Sequence, residues 1–198
     1  VKAGTDVHSY TASVIGCSRQ DAKAHTFKPL YGGVSGTEDQ KRYYNAFKEK
    51  YNNVTKWHER LQKDAVTKKY IELPSGRQYA FPKARWTEWG TATDRTAICN
   101  YPVQGFATAD LLPTALVRLS KMMRTRNLLS VICNTVHDSI VLDVHPDEKE
   151  ACINLLADCM LAIPTETLNR YGFEYNMPVG IELKIGKNWL DLEEVLTV

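Results

Sequence analysis

The chain has 198 residues, of which 43% are hydrophobic and 24% charged, with a net charge of +2. That length and composition suit one or two folded domains with a sizeable core and exclude a disordered polyelectrolyte. The small net charge gives no whole-molecule pull on nucleic acid, so a basic surface must come from local clustering, and no run of about 18 uncharged apolar residues is present to span a bilayer.

The N-terminal VKAGTDVHSY has no apolar signal-peptide segment. Cys17, Cys99, Cys133, Cys152 and Cys159 form no CxxC pair, and Cys133 with His137 lacks the second pair that a zinc site needs. A scattered, odd count fits reduced thiols, so a cytoplasmic location without membrane attachment is expected.

In chain order, 6–16 reads as a short helix closed by Gly16. The segment 18–31 opens on Ser18 and Asp21, a capping box, and must end or bend near Pro29. A helical hairpin is predicted over 38–70. Tyr43 or Tyr44, Phe47 and Tyr51 share a face of its first arm, and Val54, Trp57, Leu61 and Ala65 a face of its second. A β-hairpin over 71–81 turns at Pro74-Ser75-Gly76, followed by a polar loop with two tryptophans to about Asp94. Helix resumes from Ala97 to Arg126, with interruptions expected at Pro102 and Pro113. A hairpin over 130–145 comes next, then one helix over 146–172 with Ile153, Leu156, Met160 and Ile163 as its apolar stripe. A final strand lies within 176–190. Helices in the first half and a mixed second half with a small antiparallel sheet make an α+β chain.

Two places carry candidate chemistry. In TVHDSIVLDV (135–144), Val- and Ile-rich flanks read as strands, and His137-Asp138 falls at the reversal. The plain reading is a turn aspartate; the functional one is a metal-binding carboxylate on a rigid tip. Alternation places Asp143 on the other face from Asp138, so a partner carboxylate must come from elsewhere. In the helix 18–31, Arg19, Lys23 and Phe27 follow at steps of four and share one stripe. Two cations followed by an aromatic suit a nucleoside triphosphate; the plain reading is a solvated basic face above a core Phe.

Arg19-x3-Lys23-x3-Phe27-x3-Tyr31-Gly32 resembles the fingers-helix motif of family A DNA polymerases, the bacterial DNA polymerase I type. Asn100-Tyr101-Pro102-Val103-Gln104-Gly105 resembles the family's Asn-x-Pro-x-Gln-Gly segment, and Val136-His137-Asp138 its third palm motif. Asp6-Val7-His8 with Thr11-Ala12 is similar to the stretch before the fingers helix, and Gly186-x-Asn188-Trp189 to the family's C-terminal end. The matches keep the family's order and cover almost the whole chain, with a flavour closer to bacteriophage members.

The resemblance implies a helical fingers subdomain over 1–93 and the C-terminal part of an antiparallel-sheet palm over 94–198, with the metal-binding hairpin at 130–145. It implies template-directed addition of deoxynucleotides to a primer. Arg19 and His8 would bind outer phosphates, Lys23 a phosphate near the reacting centre, and Phe27 the sugar. Tyr31 would sit beside the nascent pair, Asn100, Gln104 and His137 would meet primer–template DNA, and Asp138 would hold catalytic Mg2+. Ser139 departs from the family's usual Glu. Arg95 stands one position off its counterpart, so no role is carried to it. The family's first palm motif, Asp-Tyr-Ser-x2-Glu, which carries the other essential aspartate, is not in the sequence; thumb and exonuclease are absent too. The chain therefore reads as part of a larger polymerase or one half of a split one, needing the remaining segment as partner. The alternative is a non-catalytic module that grips nucleotide or primer–template.

Overall fold

The computed structural model describes residues 6–33 and 35–197. The chain divides into two compact units, residues 1–73 with 77–103, and residues 74–76 with 104–198.

The first unit is mainly helical: α1 (Val7–Ile15), α2 (Arg19–Phe27), α3 (Glu38–Lys50) and α4 (Asn52–Lys68), then a hairpin of β1 (Tyr70–Glu72) and β2 (Gln78–Ala80), then the start of α5 (Arg95–Gly105). Its first three helices begin where short polar side chains cap free backbone N–H groups: Asp6 accepts from His8 N, Ser18 from Asp21 N, and Thr37 with Gln40 forms a complete capping box. At Ser18 the box is half made, because its hydroxyl donates to Asp21 Oδ2 at 2.7 Å. α2 stops at Phe27, short of the expected Tyr31. Pro29 has no N–H to continue the ladder, and the chain turns, with Gly33 N donating to Lys28 O at 2.8 Å. The core gathers Leu61 and Ala65 of α4, Ile71, Phe81, Ala84, Ala92, and Ile98 of α5.

The second unit holds the remaining helices and two ribbons. After α5 the chain continues through π turns at Phe106–Leu111 into α6 (Leu112–Thr125). The expected breaks at Pro102 and Pro113 do not occur. Pro102 lies inside α5, and Pro113 falls in the first turn of α6, where its ring is tolerated. Next come β3 (Val131–Val136) paired antiparallel with β4 (Ser139–Asp143), a short 3-10 turn at Pro146–Glu148, α7 (Lys149–Leu161) and α8 (Ile163–Tyr171). The single helix expected over 146–172 is thus two, bent by 48° at Ala162, with Pro164 opening α8. The buried side of α7 is Cys152, Leu155, Leu156, Ala157 and Cys159, while Ile153 and Met160 are half-buried. β5 (Glu182–Ile185) pairs with β6 (Glu193–Thr197), a strand the sequence reading missed. Its EEVLT carries too little apolar alternation to signal a strand.

Among the described residues no single helix is long and apolar enough to cross a membrane; α7 and α8 approach that composition only when taken together.

One carboxylate ties the start of the 130–145 hairpin to the 3-10 turn beyond its end. Glu148 accepts from Leu129 N and Ser130 N at 2.8 Å and from Ser130 Oγ at 2.6 Å, and these donors hold its pKa below the usual carboxylate value. A lowered folded pKa means the ionised form stabilises the fold above the unfolded pKa and ceases to as pH falls through the folded one. Glu148→Gln is therefore expected to lower the melting temperature at pH 7. The difference from the parent should vanish on acidification below pH 4.5; a pH-independent difference would contradict it.

Candidate active site

In the first unit, α2 carries Arg19, Lys23 and Phe27 on its exposed side, while its other side buries Ala22 and Thr26. Buried hydroxyls fasten that second side. Thr26 Oγ1 lies 2.8 Å from Thr11 Oγ1 of α1, and Thr11 Oγ1 lies 3.0 Å from Tyr43 OH of α3. His8 Nδ1 lies 3.2 Å from Thr26 Oγ1, so the same chain orients the imidazole. Its ring meets Phe27 edge-on at 5.4 Å between centroids. A second bridge runs from His25 Nδ1 to Tyr44 OH at 2.7 Å and from His25 Nε2 to Gln40 Nε2 at 3.0 Å.

Arg19 Nε donates to Asp6 Oδ2 at 2.6 Å, and the same carboxyl caps α1. The guanidinium, with help from Ser9, holds Asp6 well below the usual carboxylate range, so the pair stays ionic in mild acid. Lys23 is exposed and has no side-chain partner among the described residues. Phe27, 43% exposed, lies over Tyr31, the ring planes 19° apart and the centroids 6.3 Å apart. Tyr31 keeps this stack although it is off the helix. Gly32 explains the turn beneath it: its φ is 79°, and a Cβ there would meet Cys99 Sγ of α5 at 3.1 Å. Burial pushes that thiol up to about 11, so it is inert packing.

In the second unit, His137 and Asp138 form the two-residue tip between Val136 and Ser139, which are cross-strand partners. His137 has φ 54°, while Asp138 is not among the positive-φ residues. A positive φ at the first central residue alone marks a II′-type turn, which matches the twist of paired strands. Ser139 Oγ donates to Val136 O at 2.8 Å, closing the turn. The ribbon rests on helices through Ile132, Ile140 and Leu142, which pack on Leu119, Met123, Leu155, Leu156 and Cys159. Asp138 is exposed and borders a cavity of about 290 Å³ walled by Leu111, Leu112, Ile163 and Tyr175.

The structure thus gathers His8, Arg19, Lys23, Phe27 and Tyr31 around α2. It places Asn100, whose Oδ1 is buried without a partner among the described residues, on α5 in the first unit. Exposed Gln104 and the His137-Asp138 tip belong to the second unit. No group of three or more His, Cys, Asp or Glu is placed to hold a metal among the described residues. The sequence reading missed Asp6 as the anchor of Arg19, and Thr11 and Thr26 as the glue. The signals were present: Asp6 stands at an N-cap position, and threonines inside helices call for a hydrogen-bond account. It also passed over Asp110, a buried carboxylate that accepts from Ser75 Oγ at 2.7 Å.

This architecture is that of a polymerase domain. The solved POL domain of Pol1 from M. smegmatis, in complex with DNA primer-template and dNTP, superposes with a TM-score of 0.69 at 20% identity, covering 89% of this chain and 33% of that one. A model of DNA polymerase family A matches residues 1–191, and the chain belongs to that family.

DNA polymerase I of Lactococcus lactis subsp. lactis is 28% identical over 96% of this chain, and the thermostable DNA polymerase I of Thermus filiformis 28% over 98%. The chloroplastic/mitochondrial DNA polymerase I B of Arabidopsis thaliana is 28% identical over 86%. The chain spans about a quarter of the length of the bacterial relatives, 23% and 24%. Bacterial and plant-organelle relatives give no support to the bacteriophage flavour of the sequence.

Thr26→Val tests the hydroxyl chain. It keeps the shape and strands the groups that met the hydroxyl, at a cost of about 1–2 kcal/mol. The urea midpoint should fall accordingly; an unchanged midpoint would show that these contacts hold nothing.

Proposed function

We propose that this chain supplies the nucleotide-binding helix and one catalytic carboxylate for template-directed DNA synthesis. The observation that carries the reading is the exposed Arg19–Lys23–Phe27 stripe, with His8 set beside it, in a family A chain. Arg19 and His8 bind the outer phosphates of a deoxynucleoside triphosphate. Lys23, a point charge with no partner among the described residues, neutralises phosphate near the reacting centre. Phe27 packs on the sugar and Tyr31 beside the nascent pair. Asn100, Gln104 and His137 contact primer–template DNA.

Asp138 suits magnesium in kind: a hard oxygen donor, exposed on a braced tip. It does not suffice in number, since no group of three or more His, Cys, Asp or Glu is placed to hold a metal among the described residues. Magnesium, when bound, supplies neutralisation of phosphate charge and alignment of the displacement. Asp138 holds the site open to it, and a further polypeptide segment with the Asp-Tyr-Ser motif contributes the second carboxylate. A second reading, a binding module that grips nucleotide without catalysis, is favoured by that same shortage of ligands.

Primer extension with magnesium separates the readings. The expected result is no extension by this chain alone, and extension once a polypeptide with the Asp-Tyr-Ser segment and thumb is added. Asp138→Asn should abolish it, and Lys23→Ala should slow it about a hundredfold. Extension by the chain alone that Asp138→Asn removes would place the second carboxylate within this sequence. Silence in both mixtures would leave the binding module.

A further inference from the structure

The loop between β2 and α5 is built to hold two indoles in solvent. Trp89 is 81% exposed and Trp86 47%. Leaving so much apolar ring area in water forgoes burial that a connecting loop has no reason to forgo. The loop is also not loose. Trp86 makes a β-bridge with Ala92, Thr87 N donates to Thr91 O at 2.8 Å, and Thr93 N donates to Arg85 O at 2.9 Å. Arg85 N donates to Thr93 Oγ1 at 3.2 Å, and Gly90, at φ 69°, lets the tip reverse. Beneath, Ala84 and Ala92 are part of the core, and Gln62 Oε1 of α4 accepts from Ala92 N at 3.0 Å.

The charges beside the indoles narrow the partner. Lys83 and Arg85 are exposed, and neither side chain has a partner among the described residues. Glu88 is the single acidic residue of 82–93. Two cations just ahead of two exposed aromatics on a hydrogen-bonded loop are the parts of a single-strand binder, in which bases stack on rings and the phosphate backbone follows the cations. A protein interface also favours Trp and Arg but is depleted in Lys, and here Lys83 stands beside the indoles.

We propose that the Arg85–Thr93 loop is a stacking platform for unpaired bases of single-stranded DNA, contacting the template overhang independently of its sequence. The proposal rests on the polymerase reading and adds to it a contact carried by Trp86 and Trp89. Because the loop is already ordered, stacking costs little chain entropy. Because indoles offer a face to every base, the platform has no sequence preference.

The test is fluorescence anisotropy of labelled oligothymidylate, of primer–template with a long 5′ overhang, and of blunt duplex, titrated with the full chain. Trp86→Ala/Trp89→Ala should weaken binding to the first two at least tenfold and leave blunt duplex unaffected. Trp86→Phe/Trp89→Phe should keep most of the affinity. Lys83→Gln/Arg85→Gln should weaken binding and flatten its salt dependence. Thermal melting of each variant guards against misfolding. If the alanine variant folds and binds single strands as the parent does, the platform is overturned while the polymerase reading stands. An equal loss on blunt duplex also overturns it, because stacking on unpaired bases would not be the cause. If the parent binds neither single strands nor primer–template, the platform is overturned, while the polymerase reading is decided separately by primer extension with the added segment.

Discussion

The docking of one two-stranded ribbon on helices governs the second unit. An isolated pair of strands is marginal in water, and β3 and β4 have exposed residues along most of their length. What fixes them is the row Ile132, Ile140 and Leu142 against α6 and α7. Each half-buried aliphatic contributes about 1 kcal/mol, which together exceeds the cost of about 1–2 kcal/mol for holding His137 in a left-handed conformation. The order of these magnitudes lets a strained tip persist and keeps the Asp138 carboxylate where the backbone puts it.

The first unit solves a similar problem with different material. α1, α2 and α3 meet through threonine, tyrosine and histidine side chains more than through aliphatic ones, and hydrogen bonds demand a narrower geometry than greasy contacts do. The buried side of α2 is therefore indexed: Thr26 and Ala22 inward leaves Arg19, Lys23 and Phe27 outward. Gly32 extends the indexing past the helix, since only a residue without Cβ lets the turn below Tyr31 approach Cys99.

Much of this was legible in the sequence, and the parts that were not share a cause. The stripe of α2 and the hairpin tip were readable because each depends on near neighbours in the chain: a spacing of four, a run of Val and Ile, a two-residue reversal. The proline readings failed because Pro102 is carried inside α5 and Pro113 falls at a helix start, where a missing N–H breaks nothing. The single helix over 146–172 failed for the opposite reason, since its apolar periodicity ran on past Ala162 while Pro164 opened a new helix. β6 was invisible because pairing with β5, not its own composition, makes it a strand. Asp6 was quoted as part of a motif, yet its grip on Arg19 spans an intervening helix that no spacing rule covers.

That grip has a consequence for whatever reaches Arg19. The Nε of the guanidinium comes already engaged, by a carboxylate that belongs to the protein. An arriving anion meets a tethered neighbour there, one whose hold is screened because both side chains are open to solvent. Asp6 thus sets the side from which the guanidinium can be met, through the N–H groups that the Nε contact leaves open.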